Sequence, residues 1–248
     1  MSKARLTLSF IFLSLLTAFI FSGCDKDDTP SLPPEPLLIF ESIRFEIEEV
    51  PLGPSTTERE FFEVTFRYED GDQDLGPDID TEIDFSFDNS LIRDDNDNVI
   101  RYQPNAGLPP LSCRNYIKWE FQPDQPADVS HGDTLRFDRY NTAANFYIDI
   151  LFEENGQFVE FDWFEHFPAF ACFSFDGLIR NVNQGTPELV PYTVAPINKV
   201  QGSITYQIQF SLFTSLFRDK NVKLRFQVRD NAGNFSNFME TDPVFVTR

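Results

Sequence analysis

The sequence predicts an all-β fold, and three observations predict it. Short runs from Leu38 onward alternate apolar and polar residues, the pattern of a half-buried strand. No segment sustains a helical stripe. Asn155-Gly156 stands between two apolar runs, the strongest short-range signal of a β-hairpin.

The elements follow in order. A first strand runs near Ile43, Phe45 and Ile47. In the second, Phe62, Val64, Phe66 and Tyr68 alternate with Glu63, Thr65, Arg67 and Glu69. Ile83, Phe85 and Phe87 against Asp84, Ser86 and Asp88 predict a third. Phe146, Ile148, Ile150 and Phe152 lead through Asn155-Gly156 into Phe158 to Phe164, a hairpin. Ile204 to Phe210, Val222 to Val228, and a last strand near Val244 and Val246 complete the set.

Two stretches carry a resemblance. Tyr68 to Gly76, a strand entering Asp70-Gly71-Asp72-Gln73-Asp74-Leu75-Gly76, resembles the start of immunoglobulin-like domains in uncharacterised Bacteroidota lipoproteins. Lys223 to Arg248, with the turn Arg229 to Asn237 between two strands, resembles the end of a bacterial immunoglobulin-like domain. The resemblance implies an immunoglobulin-like β-sandwich made of residues 38–88 plus 203–248, contributing strands A, B, C and E, F, G. Residues 89–202 are then a large β-rich insertion. Two consecutive β domains are the alternative assembly.

The N-terminus reads as an address. Lys3 and Arg5 precede an apolar run from Leu6 to Phe21, shorter than the roughly 20 residues of a membrane-spanning helix. The run ends Phe21-Ser22-Gly23-Cys24, which resembles the lipobox of bacterial lipoproteins and implies residues 1–23 as signal peptide and Cys24 as the lipidated residue. An ordinary signal peptide with an incidental Cys is the alternative. Residues 24–37, with Asp25, Lys26, Asp27, Asp28 and four prolines, read as an extended tether. The acidic tetrapeptide resembles the surface-export tag of Bacteroidota lipoproteins, implying an outer-membrane anchor facing the cell exterior. In enteric-type lipoproteins an Asp after the Cys implies inner-membrane retention instead.

Charge excludes some partners. Lys3 and Arg5 are the only charged residues before Cys24, so the remainder carries all 40 acids against 18 bases, a formal charge of −22. Such a chain repels nucleic-acid phosphates, so no nucleic-acid partner is expected. The 29 Phe supply more apolar material than disordered chains carry, so a packed core is expected.

Several residues bear on chemistry. Asp70, Asp72 and Asp74 alternate through a tight turn, the spacing that converges carboxylates on a hard cation such as Ca²⁺. It is not an EF-hand, because Leu75 and Thr81 stand where that loop needs Gly and Glu. If the fold is immunoglobulin-like, the turn after Arg229 lies at the same end and offers Asp230 and, more weakly, Asn234. A solvated acidic turn is the competing reading, and for Asp94-Asp95-Asn96-Asp97-Asn98 it is the preferred one. With Cys24 lipidated, Cys113 and Cys172 are an even pair in an oxidising compartment and are expected to form a disulfide; two separate buried thiols are the alternative. The run from Phe161 to Phe175 holds six Phe and Trp163, mostly core; Trp163 or Trp119, if exposed, would stack on a sugar ring.

No nucleophile elbow, P-loop, H-E-x-x-H or C-x-x-C motif is present, so no catalytic residue is nominated. The expected function is a non-enzymatic cell-surface lipoprotein, a binding or presentation module stabilised by Ca²⁺, with a glycan or an outer-membrane protein as partner. An extracellular, glycosidase-like hydrolase using a carboxylate pair is the alternative.

Overall fold

Period-two alternation in the first half of the chain builds a long antiparallel hairpin. Strand β1 (Leu37–Leu52) pairs along its length with β2 (Ser55–Glu69). A computed structural model describes residues 32–53, 55–76, 90–104, 106–119, 128–142, 144–166, 175–179, 193–194 and 200–248. Within it β3 (Tyr116–Lys118) pairs with β4 (Thr134–Arg136), and β5 (Phe146–Glu154) with β6 (Gln157–Glu160). The turn between β5 and β6 is Asn155-Gly156, both with positive φ (52° and 79°), as a two-residue hairpin of this twist requires. Helix α1 (Trp163–His166), β7 (Leu178–Ile179) and β8 (Thr193–Val194) follow. Then come β9 (Gln201–Gln209), α2 (Phe213–Phe217), β10 (Lys220–Val228), β11 (Met239–Glu240) and β12 (Val244–Val246).

Two antiparallel sheets dominate. The first has the order β1-β2-β9. In the second, β10 lies between β5, itself flanked by β6, and an edge made of β11 and β12. Thr241 separates those last two strands and still bonds Leu224 in both directions, so the edge remains attached through its bulge.

One apolar core lies between the sheets. Phe62, Val64, Phe66 and Tyr68 of β2, with Ile204, Tyr206 and Ile208 of β9, face Phe146, Ile148, Ile150 and Phe152 of β5 and Val222, Leu224, Phe226 and Val228 of β10. Phe66 stacks on Phe146 and Phe226 at 5.5 and 6.0 Å. Helix α2 closes one end with Phe213 and Phe217, and the buried Glu60 carboxylate accepts from the Thr214 N–H at 2.6 Å. That end is opposite the one where β1, β5 and β9 begin and β2 and β10 end.

The expected boundaries change in one respect. Phe146–Glu160 falls inside the stretch assigned to an insertion, yet β5 pairs with β10 from Val222 to Val228 and carries part of the common core. Both faces of β5 are buried, because Tyr147 and Leu151 on its other side are covered as well. A doubly buried strand reads as a near-continuous apolar run, and Phe146 to Phe152 reads so except for Asp149, whose carboxylate pairs with Arg114 and Arg139. Residues 83–87, the expected third strand, lie outside the described residues. Downstream of Asn155-Gly156 the strand stops at Glu160, and Phe164 belongs to α1.

The earlier part of the expected insertion has an apolar cluster of its own. Leu91, Val99, Trp119, Val129 and Leu135 pack together, with Ile117 and Phe137 against them. Polar contacts fasten this region to β5. Arg139 is buried, donates to Asp149 at 2.7 Å, and grips Asp176 with two nitrogens and the Ile148 carbonyl with one. Arg114 reaches Asp149 and Glu160, both at 2.6 Å, and Tyr140 meets Tyr147 edge-on. Buried carboxylates raise the Arg139 pKa against the opposing effect of desolvation, so the guanidinium stays charged.

Removing one partner of a buried ionic network leaves the others uncompensated. Arg139→Ala should therefore lower unfolding free energy by about 3–5 kcal/mol in urea titration. Arg44→Ala, whose pairs with Glu46 and Glu63 lie on a largely exposed surface, should cost about 1 kcal/mol or less. Equal effects would contradict this account of the fastening.

Candidate metal centre

The end of the molecule where β2 and β10 finish brings two loops together. β2 runs out at Glu69 into Asp70–Gly76, and β10 runs out at Val228 into Asp230–Asn237. Leu75 anchors the first loop: its side chain is fully buried in the core, and its carbonyl accepts from Asn145 Nδ2 at 3.1 Å. The Asp70 N–H donates to the Val200 carbonyl at 2.8 Å, fixing the loop to the start of β9. Gln73 adopts a left-handed φ of 65°, which folds the loop back on itself. Asn231 joins the loops, its N–H donating to the Asp74 carbonyl at 3.0 Å and its Nδ2 to the Gly76 carbonyl at 3.1 Å.

This framework gathers Asp70, Asp72, Asp74 and Asp230. Each offers a carboxylate oxygen, and these oxygens lie within 4.8 Å of one another. Asp70 is 0% exposed and Asp230 4%, while Asp72 is open to solvent and Asp74 lies between. No ion pair of the described residues neutralises any of them. Neither carboxylate oxygen of Asp70 nor Oδ1 of Asp74 has a donor in full hydrogen-bonding geometry, and the Leu75 N–H that faces Asp70 only partly offsets its burial. Burial, then the facing Asp72 and Asp74, pushes the Asp70 carboxyl up to about 7; burial, then Asp72 and Asp230, pushes Asp74 up to about 6.

The donor set fits a hard cation. Carboxylate oxygens alone, convergent and charged, suit Ca²⁺, which takes six to eight oxygen ligands; thiolate and imidazole, the ligands soft metals favour, are missing from the four. Asn234 has a different part from the one expected. Its N–H and Nδ2 donate to Asp230 at 2.7 and 2.8 Å, so it orients that carboxylate from behind, as outer-shell partners of metal ligands do.

The other expected site residues separate. Trp119 and Trp163 are 4% and 8% exposed, so neither presents a ring face to a sugar. Trp163 packs among Phe161, Phe175 and Phe210, and Trp119 sits in the smaller cluster. The second acidic run is a turn: Asp94 Oδ1 accepts from the N–H groups of Asn96 and Asn98, both at 2.9 Å, which lowers its pKa. Cys113 packs against the main core and is disulfide-bonded; Cys24 and Cys172 both lie outside the described residues. Asn145, Asn231 and Gly71, which shape the two aspartate loops, carry no signal of that role in the sequence. No family model, curated protein or solved structure matches the chain.

A carboxyl with a raised native pKa binds its proton more tightly in the folded state, so protonation favours folding. That contribution is complete below the unfolded value near 3.8 and disappears as pH rises through about 6 and 7. In chelator, this cluster should therefore destabilise the protein progressively from about pH 4 to about pH 7. Asp70→Asn should flatten that part of the profile in urea titrations across this range. An unchanged slope in Asp70→Asn would contradict the assignment.

Proposed function

We propose that the chain is a non-enzymatic, lipid-anchored cell-surface module whose two-sheet body is an immunoglobulin-like sandwich stabilised by Ca²⁺. The observation that carries this reading is the buried, unneutralised Asp70 at the centre of four convergent aspartates. A carboxylate held out of water without a base or a full set of donors is costly, and a divalent cation removes the cost.

The strand order supports the immunoglobulin-like part. β1-β2-β9 corresponds to A-B-E, and β10 flanked by β5 and by β11 with β12 corresponds to F between C and G. The two aspartate loops are then the B–C and F–G loops, at one end of such a sandwich. The anchor rests on Cys24 and its flanks, with the outer membrane, facing outward, as the location and a glycan or an outer-membrane protein as the partner. Cys172 is the proposed partner of Cys113. Closing a loop of that length stabilises the fold by about 4 kcal/mol in the chain-entropy model.

The raised carboxyls would also suit a hydrolase acid, as the glycosidase-like alternative needs. Asp70, the more strongly raised of the two, is fully buried, however, and substrate cannot reach it. Binding of a cation is therefore favoured over hydrolysis.

Calorimetric titration with CaCl₂ should give a heat of binding. Calcium at about 100 times its Kd should stabilise the fold by about 2.7 kcal/mol, raising Tm by roughly 5–10 °C. Asp72→Ala, at the solvent-exposed ligand, should remove both responses while the chain still folds. No heat and no shift would end the calcium reading, and turnover of a polysaccharide by the purified protein would end the non-enzymatic one.

A further inference from the structure

The same two loops that supply the aspartates also hold the incoming chain. Before β1 begins, the backbone passes Leu32 and Pro33, and the Pro33 carbonyl accepts from the Gly71 N–H at 3.0 Å. The approach is close enough that a Cβ at Gly71 would run into the carbonyl oxygens of Leu32 and Pro33, which is why glycine stands between Asp70 and Asp72. Five residues later the second loop takes over. Asn237 Oδ1 accepts from the Leu38 N–H at 2.8 Å, and its Nδ2 donates to the Leu38 carbonyl at 3.0 Å. An asparagine that satisfies both backbone groups of one residue acts as a one-residue strand extension. The hold on Pro33 is made by loop backbone and that on the Leu38 N–H by a loop side chain, so both depend on loop conformation, although Leu38 itself is also paired with Tyr68 and buried in the core.

We propose that the bound cation clamps the tether: by holding the 70–76 and 230–237 loops together it fixes residues 32–36 to the body and seats Asn237 on the start of β1, and its loss releases that segment and the Leu38 N–H. The proposal rests on the calcium reading and adds a consequence to it. Asp70 and Asp72 flank Gly71 directly, so withdrawal of the ion from them moves the residue that holds Pro33. Asp230 opens the loop that Asn237 closes, and Ser236 ties the two ends, its N–H donating to the Val228 carbonyl at 2.9 Å and its Oγ accepting from the Val228 N–H at 2.9 Å. With the ion gone, four facing carboxylates repel one another across the space between the loops. On a cell surface the state of the site would then set how stiffly the body stands on its anchor, and how open residues 32–36 are to a protease.

Hydrogen–deuterium exchange of the full-length protein in detergent tests this, read on peptides covering Leu38, Gly71 and, as a distant reference, Glu48 to Thr57. If release of the segment requires loss of the ion, calcium at about 100 times its calorimetric Kd should slow exchange at Leu38 and Gly71 about 100-fold relative to chelator, with little change in the reference. Asn237→Ala should remove the calcium dependence at Leu38 but keep the heat of binding and the protection at Gly71. Gly71→Ala, which displaces Pro33, is the second variant and should likewise free Leu32 and Pro33. Heat of binding with equal exchange at Leu38 in calcium and chelator would overturn the clamp and leave the calcium site standing, as would slowing of the same size in the reference peptide. Absence of any heat would overturn both.

Discussion

Phe66, Phe146 and Phe226 meet where the two sheets face each other, and the rest of the structure depends on that contact. Phe146 and Phe226 lie nearly parallel at 5.2 Å, Phe66 covers them from the opposite sheet, and Tyr206 meets Phe146 edge-on at 5.2 Å. Side chains of this size bury more area than any aliphatic residue and bind through offset or edge contacts that tolerate little displacement. A slip of one residue in β2 would turn Phe62, Val64, Phe66 and Tyr68 to solvent and Glu63, Thr65 and Arg67 inward. The register of the β2–β9 and β5–β10 pairs is therefore fixed by the core, and with it the level at which each strand ends.

Fixed strand ends explain why charge collects at one end. Glu69 pairs with both Leu37 and Gln201, and Val228 with Phe146, so the residues beyond them share one rim. Asp70 is the first residue past that rim, and its N–H is committed to Val200. Leu75, five residues on, is held in the core. Pinned at both ends, the loop cannot carry Asp70 out to water. The body thus holds a carboxyl where it is expensive, and the cost falls on whatever occupies or protonates the site.

Much of this was legible in the residues themselves, and the parts that were not share a physical cause. Strands β1, β2, β9, β10 and the β5–β6 hairpin follow from local alternation and from Asn155-Gly156, because a period of two and a positive φ are properties of neighbouring residues. The convergence of Asp70, Asp72 and Asp74 was readable for the same reason. The place of β5 was not. Its pairing with β10 joins residues 70 to 82 positions apart, and the burial of Tyr147 and Leu151 on its second face, added to the alternating Phe146, Ile148, Ile150 and Phe152, is decided by what packs there. The burial of Trp163 agrees with the core expected of Phe161 to Phe175, while that of Trp119 is set by the small cluster that packs over it. Asn145, Asn231 and Asn237 looked like turn residues and act as connectors, since an amide that donates and accepts can bind two backbone groups wherever the fold brings them.

Bases are scarce in this chain, and where they are placed separates structural acids from the candidate ligands. Asp149 and Asp176 are nearly buried, and Arg139 is buried with them, so their charge is compensated on the spot. Asp94 has no base, yet it is solvated and receives N–H donors from its own turn. Each case is a complete answer to the cost of a carboxylate: a counter-charge inside, or water and amides outside. Asp70 has no base and is enclosed like Asp149, with three further carboxylates directed at it and only the Leu75 N–H facing it as a weak donor. Turn geometry does not account for this, because asparagine satisfies the same turn preferences without a charge. A proton on Asp70, which its raised pKa favours up to about 7, lowers the cost of enclosing it, and a hard divalent cation taking oxygen from every side, the proposed occupant, would remove that cost.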